Sequence, residues 1–173
     1  SVSDMGIYKE PYSELLIHTI QTKTPKNKSD EETQKALNEF EDLLKNRFYE
    51  ISALIIEPLV QCAGLMSMHS EKFVKGMRNL CKKYGVLFIA DEVAVGFGRT
   101  GTLFACEQAG ISPDIMVLSK GLTGGYLPLS TVLVTNDIYN QFYCDYDPVK
   151  TFLHSHSYTA NPLSCSVALA SIE

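Results

Sequence analysis

Three short apolar runs constrain this chain more than any other feature: Ala53-Leu54-Ile55-Ile56, Val86-Leu87-Phe88-Ile89-Ala90 and Ile115-Met116-Val117-Leu118. Each is strand-length, and none alternates apolar with polar as a strand with one wet face does. They read as buried strands, with a further strand expected over residues 129–134. Helical patterns lie between them. Ser29-Asp30-Glu31-Glu32 has the spacing of a capping box, and Leu37, Phe40, Leu43 and Leu44 then fall on one helical face. From Ser70 to Tyr84 the apolar residues Phe73, Val74, Met77, Leu80 and Cys81 recur at helical spacing, with Gly85 as the stop. Strands apolar on both faces that alternate with helices predict an α/β fold with a mostly parallel sheet.

Composition narrows the function classes. In 173 residues, 45% hydrophobic, there is material for a substantial core. A net charge of −5 without a Lys/Arg cluster gives nucleic acid no electrostatic footing. No apolar stretch is long enough to span a membrane, and the N-terminal SVSDMGIYKE lacks a signal-peptide pattern, so a cytoplasmic protein is expected. The five cysteines (Cys62, Cys81, Cys106, Cys144 and Cys165) form no CxxC pair, which favours reduced thiols over disulfides or zinc. The chain starts without methionine and stops inside a helical pattern opened by Asn161-Pro162, so it reads as an internal piece of a longer polypeptide.

In open parallel sheets, ligands gather beyond the carboxyl ends of the strands. Those positions hold Glu57, then Asp91 and Glu92, then Ser119-Lys120-Gly121. Asp91 and Lys120 lie about one strand-helix-strand unit apart, so both can reach one small molecule. A partly desolvated lysine offers a neutral amine for a Schiff base, and a carboxylate can keep a pyridine nitrogen protonated. Those are the needs of a pyridoxal phosphate enzyme. A salt bridge or a solvated strand edge explains the same pair. An apolar strand ending in Asp-Glu also suits the Walker B element of an ATP-binding module, but no GxxxxGK[ST] loop accompanies it in these residues. A cofactor-free α/β scaffold is the third reading.

Four longer stretches carry a resemblance: LIIEPLVQCAGLM, LFIADEVAVGFGRTGTLFACEQAGISPDI, LSKGLTGGYLPLS and FLHSHSYTANPLSCSVALASI. In this order they resemble the class III aminotransferases of pyridoxal phosphate fold type I. They are most similar to the branch that moves an amino group from S-adenosylmethionine to 8-amino-7-oxononanoate in biotin biosynthesis. The resemblance implies that residues 1–173 are part of the large cofactor-binding domain, with an N-terminal part and a C-terminal small domain elsewhere, and that this stretch alone is inactive. It implies that Lys120 is the Schiff-base lysine, Asp91 the partner of the pyridinium nitrogen and Val93 a side chain against the ring. It gives Ser157 the cofactor phosphate of a neighbouring subunit, hence a homodimer with shared active sites. Glu57 opens the EP element near the site, and a strand-end carboxylate explains it equally. Glu92 is expected to turn away and anchor the following loop.

Other residues have plainer readings. Gly96, Gly98 and Gly101 form no GxGxxG and read as turn positions. Arg99 reads as exposed or structural. His154 and His156 have no third ligand at a matching spacing, so no metal is expected. Tyr158 reads as packing or catalytic with equal reason. Ornithine- and GABA-type members carry a glutamate in a QGE-type element. This chain has Gln61-Cys62-Ala63, which argues against those dual-carboxylate enzymes. The resemblance leaves open another class III aminotransferase or a variant with lysine as amino donor.

Overall fold

The computed structural model describes residue 2 and residues 6–173; part of SVSDMGIYKE therefore lies outside the described residues. A short helix α1 (Gly6–Lys9) and a 3₁₀ turn (Glu10–Leu15) lead through extended chain to α2 (Asp30–Arg47) and β1 (Ala53–Ile56). A hairpin of β2 (Val60–Gln61) and β3 (Ser67–Met68) precedes α3 (Glu71–Tyr84), β4 (Leu87–Asp91) and α4 (Ala105–Gln108). Then come β5 (Ile115–Leu118), β6 (Thr131–Val134), α5 (Asn136–Phe142) and α6 (Pro162–Ile172).

Local chemistry explains the helix ends. Ser29 Oγ accepts the Glu32 N–H at 3.2 Å, yet the reciprocal arm of the capping box is not made. The Glu32 carboxylate turns to the Lys26 N–H at 3.4 Å, and the Ser29 N–H donates to Asn27 Oδ1 at 2.8 Å. A local turn has taken over that backbone donor. Ser70 Oγ accepts from Phe73 N at 3.2 Å, and α3 stops at Gly85, whose φ of +71° is the left-handed conformation a helix terminator needs. At α6, Asn161 accepts from Leu163 and Ser164 while Pro162 occupies the first turn.

The main sheet has the order β1-β4-β5-β6. β1, β4 and β5 run parallel, whereas β6 returns antiparallel to β5. Between β5 and β6 there is a 3₁₀ turn and loop rather than a crossover helix, so the chain doubles back instead of returning to the same end. α3 packs on β4, and α2 packs on α3. Their apolar faces meet the sheet in one cluster that includes Phe40, Leu44, Phe73, Met77, Phe88 and Ala90.

One face of the sheet is covered and the other is open, because successive residues of a strand point to opposite sides. Ile56, Phe88 and Ala90 are buried, while Ile55 and Leu87 on the opposite side are each 38% exposed. The sequence predicts cover on both faces, and within this chain the helices supply it on one. A side-chain tie adds to the packing. Arg78 of α3 forms a two-pronged bond with Asp114 at 2.6 and 2.8 Å, and the Asp114 carboxylate also accepts the Phe88 N–H at 2.8 Å. Among the described residues no helix is long and apolar enough to cross a membrane.

Candidate active site

Because β1, β4 and β5 are parallel, their carboxyl ends lie along one edge. The register of β1 on β4 runs from Ala53↔Leu87 to Ile56↔Ala90. Glu57 follows Ile56 as Asp91 follows Ala90, so the two acids sit side by side on the face away from α3. Asp91 Oδ1 accepts the Val93 N–H at 3.1 Å, which folds the chain into a turn at the strand end. The Glu57 carboxylate accepts the Cys62 N–H at 3.0 Å and closes the loop into β2. Burial first, and the Asp91 charge second, push the Glu57 pKa above its ordinary value. The Cys62 N–H and the Lys120 ammonium oppose them.

Glu92, one residue after Asp91, has a different fate. It is fully buried, and its two carboxylate oxygens accept the backbone N–H groups of Ala105 and Cys106 at 2.9 and 2.8 Å. These are donors at the first turn of α4, which the helix itself leaves unpaired. Glu92 thus anchors the far end of the glycine-bearing loop, as the sequence predicts. Within that loop Gly98 and Gly101 have φ of +88° and +102°. Gly96 does not; a Cβ there would come within 2.8 Å of the Glu92 carbonyl oxygen, so close approach is its reason.

Lys120 begins a 3₁₀ turn (Lys120–Thr123) just beyond β5, with φ of +47°. A non-glycine residue in this region carries strain on the order of 1–3 kcal/mol that its surroundings must hold. Several contacts hold it. Ser119 Oγ donates to the Leu129 carbonyl at 2.6 Å, Thr123 Oγ1 donates to that of Leu127 at 2.6 Å, and Ser171 Oγ of α6 donates to that of Gly121 at 3.3 Å. Gly121 lies against Phe97, where a Cβ would fall 2.7 Å from the Phe97 Cβ. One expectation is corrected here. The Lys120 side chain is exposed rather than partly desolvated, because the turn carries it out over the sheet edge into open crevices.

Two crevices meet at this lysine. One, of about 640 Å³, is lined by Cys62, His69, Val95, Arg99 and Lys120 among others. The second, of about 370 Å³, runs between Val93, Phe97, Arg99, Lys120 and Gly121. Val93 and Lys120 therefore share a crevice. Arg99 is exposed at its rim. Ser157 lies outside both crevices, exposed in a segment whose bonds are local, such as His156 N–H to Thr159 Oγ1 at 3.0 Å. His154, His156 and Tyr158 are exposed as well.

Sequence reasoning missed His69. It is 1% exposed, neither ring nitrogen has a hydrogen-bond partner, and its ring meets Phe73 edge-on at 5.1 Å. Burial, with a smaller contribution from Lys28, lowers its pKa to about 4. The only available cue was its place beside the α3 cap Ser70, which does not specify burial.

All of residues 1–173 match the family Aminotransferase class-III. The chain belongs to the class III aminotransferases. It is 50% identical over its full length to the adenosylmethionine-8-amino-7-oxononanoate aminotransferase of Helicobacter pylori, of which it covers 39%. Against the Geobacter sulfurreducens protein of the same name the identity is 46%, with all of this chain and 40% of that protein covered. The crystal structure of the Methanocaldococcus jannaschii adenosylmethionine-8-amino-7-oxononanoate aminotransferase aligns with a TM-score of 0.85 and 37% identity over 96% of this chain and 38% of the other. This class III chain thus spans about two fifths of the curated relatives it matches.

The residues present fit pyridoxal phosphate, the cofactor of this family. An accessible primary amine stands at the end of one strand, a carboxylate at the end of its neighbour, and an aliphatic side chain beside the amine.

Proposed function

We propose that this chain carries the lysine side of a transaminase site. In the whole polypeptide that site would move an amino group from S-adenosylmethionine to 8-amino-7-oxononanoate, giving 7,8-diaminopelargonate for biotin synthesis, in a cytoplasmic homodimer. The observation that carries the reading is the pairing of β4 with β5, which sets Asp91 and Lys120 along one sheet edge. The choice of substrates rests on the relatives' names and identities. The loop between Glu57 and Ala63 is consistent with it: the acid there is Glu57, turned to the Cys62 N–H, and no glutamate stands in the Gln61-Cys62-Ala63 turn. Five free cysteines suit a reducing compartment.

Bound pyridoxal phosphate supplies an electron sink for the pair left when a proton leaves the substrate carbon. Lys120 Nζ would hold its carbonyl carbon covalently, Asp91 its ring nitrogen and Val93 one face of its ring. Ser157, exposed and outside the crevices of its own chain, would serve the phosphate at the site of a second copy. With its amine free, Lys120 Nζ would take the proton from the substrate carbon as general base and return it as general acid. Asp91 would face the ring nitrogen and accept its proton in a hydrogen bond.

The test uses the full-length polypeptide loaded with cofactor. Borohydride should bleach its visible band and leave the reduced adduct on Lys120, and S-adenosylmethionine should discharge the band. Discharge by lysine alone would change the donor. A band indifferent to both would overturn the substrate assignment, and an adduct on another lysine would overturn the role of Lys120. The 173 residues alone should show no sustained turnover.

A further inference from the structure

Glu57 is the acid that the proposed function leaves without a task. Its position is well defined by the sheet. It extends the β1–β4 register beside Asp91, on the same face, and its own bond to the Cys62 N–H holds the carboxylate in place. The titratable groups facing it are Asp91 on β4, Cys62 on the turn after β2 and Lys120 after β5. Lys120 is exposed, at the mouth of the crevices, and its reach toward the two acids is shared with solvent. Two half-buried carboxylates side by side repel one another, as like charges opposite one another in a sheet do.

We propose that Glu57 is a positioning residue of the cofactor site, forming with Asp91 a like-charged carboxylate pair whose repulsion is relieved when a cation is held against Asp91. The inference rests on the reading that Asp91 holds the protonated ring nitrogen. Glu57 contributes a second negative charge there without touching the ring. It acts through Asp91, strengthening the hold on a ring cation and leaving the cofactor-free protein less stable than an uncharged pair would.

The direction with pH follows from the raised Glu57 pKa. A carboxyl group whose folded pKa lies above its unfolded value destabilises the fold above the folded pKa. That cost vanishes below the unfolded value, where both states carry the proton. Replacing Glu57 by glutamine keeps an acceptor for the Cys62 N–H and removes the charge.

The experiment compares the full-length wild type, Glu57→Gln, Asp91→Asn and the double variant. Thermal midpoints are read without cofactor, and pyridoxal phosphate dissociation constants by fluorescence titration. At about pH 8 the cofactor-free Glu57→Gln protein should melt about 2 °C higher than wild type, with no gain at about pH 4. Its cofactor dissociation constant should rise about fivefold. The double variant should gain no more in the cofactor-free state than either single one.

A Glu57 that merely holds the turn would leave the dissociation constant unchanged and lower or preserve the midpoint; that result overturns the proposal, as would additive gains. If Asp91→Asn raises the dissociation constant and Glu57→Gln does not, only the role of Glu57 fails. If Asp91→Asn leaves it unchanged, the reading of Asp91 fails with it. Should Glu57→Gln not fold, cofactor-free Asp91→Asn still decides. A gain at about pH 8 that is lost at about pH 4 supports the pair, and no gain overturns it.

Discussion

Residues 30–123 and residues 126–173 both carry many large apolar side chains, and they end in opposite environments. In the first region Phe40, Leu44, Phe73, Val74, Met77 and Phe88 are buried together. In the second, Tyr126, Val149, Phe152, Leu153 and Tyr158 are all more than two-thirds exposed, and Ala168 is the one buried apolar residue. The difference lies in partners rather than in composition. The first region contains a sheet face and the helices that cover it, whereas β6 is an edge strand with Val132, Leu133 and Val134 all exposed. Apolar pattern specifies a face to be buried, and topology decides whether the chain brings something to cover it.

The strongest way to break this comparison is a matched pair of truncations. Phe88→Ala should cost about 3–5 kcal/mol in denaturant unfolding, the range for emptying a packed aromatic site. Phe152→Ala in the same chain should stay within about 0.5 kcal/mol. Equal costs would mean that the C-terminal region packs as the first does. Next in size is Glu92→Gln, which turns one of two buried acceptors into a donor facing a backbone N–H; about 2 kcal/mol should be lost. Gly121→Ala tests the join between the regions. The new Cβ must move Phe97 or the lysine turn, which should cost about 1–2 kcal/mol and slow adduct formation at Lys120 in the full-length protein. At neutral pH the smallest effect belongs to His69→Phe. The His69 pKa is depressed from 6.5 to about 4, so the unfolded state takes up a proton first and wild-type stability should fall as pH drops through that window. The phenylalanine variant should lose this part of the acid sensitivity, read as the difference between the two pH–stability curves.

Legibility in the sequence follows the same division. The strands Ala53–Ile56 and Ile115–Leu118, the caps Ser29, Ser70 and Asn161, and the stop at Gly85 all rest on chemistry within a few residues, and the structure bears each out. Glu92 was legible as an anchor because two adjacent acids after a strand cannot both face one crevice. Contacts between distant segments were not. The Arg78–Asp114 fork joins α3 to the start of β5, and nothing local to either residue announces it. Leu65 and Met66 are left-handed because the β2–β3 hairpin reverses the chain there, and Leu59 is left-handed in the tight turn that the Val60 N–H closes on the Pro58 carbonyl at 2.9 Å. The exposure of Lys120 is illegible for the same reason: the sequence marks its position at a strand end and not the turn that lifts the side chain.

The bond from Ser171 to Gly121 joins residues fifty positions apart. During synthesis the strands that set Asp91 and the lysine turn leave the ribosome well before α6 does. The sheet edge and the contacts from Leu127 and Leu129 are laid down first, and the strained turn gains its third brace only when α6 has emerged. A nascent chain arrested short of Ser171 should therefore be cut by protease near Gly121, and one arrested well beyond it should be protected there.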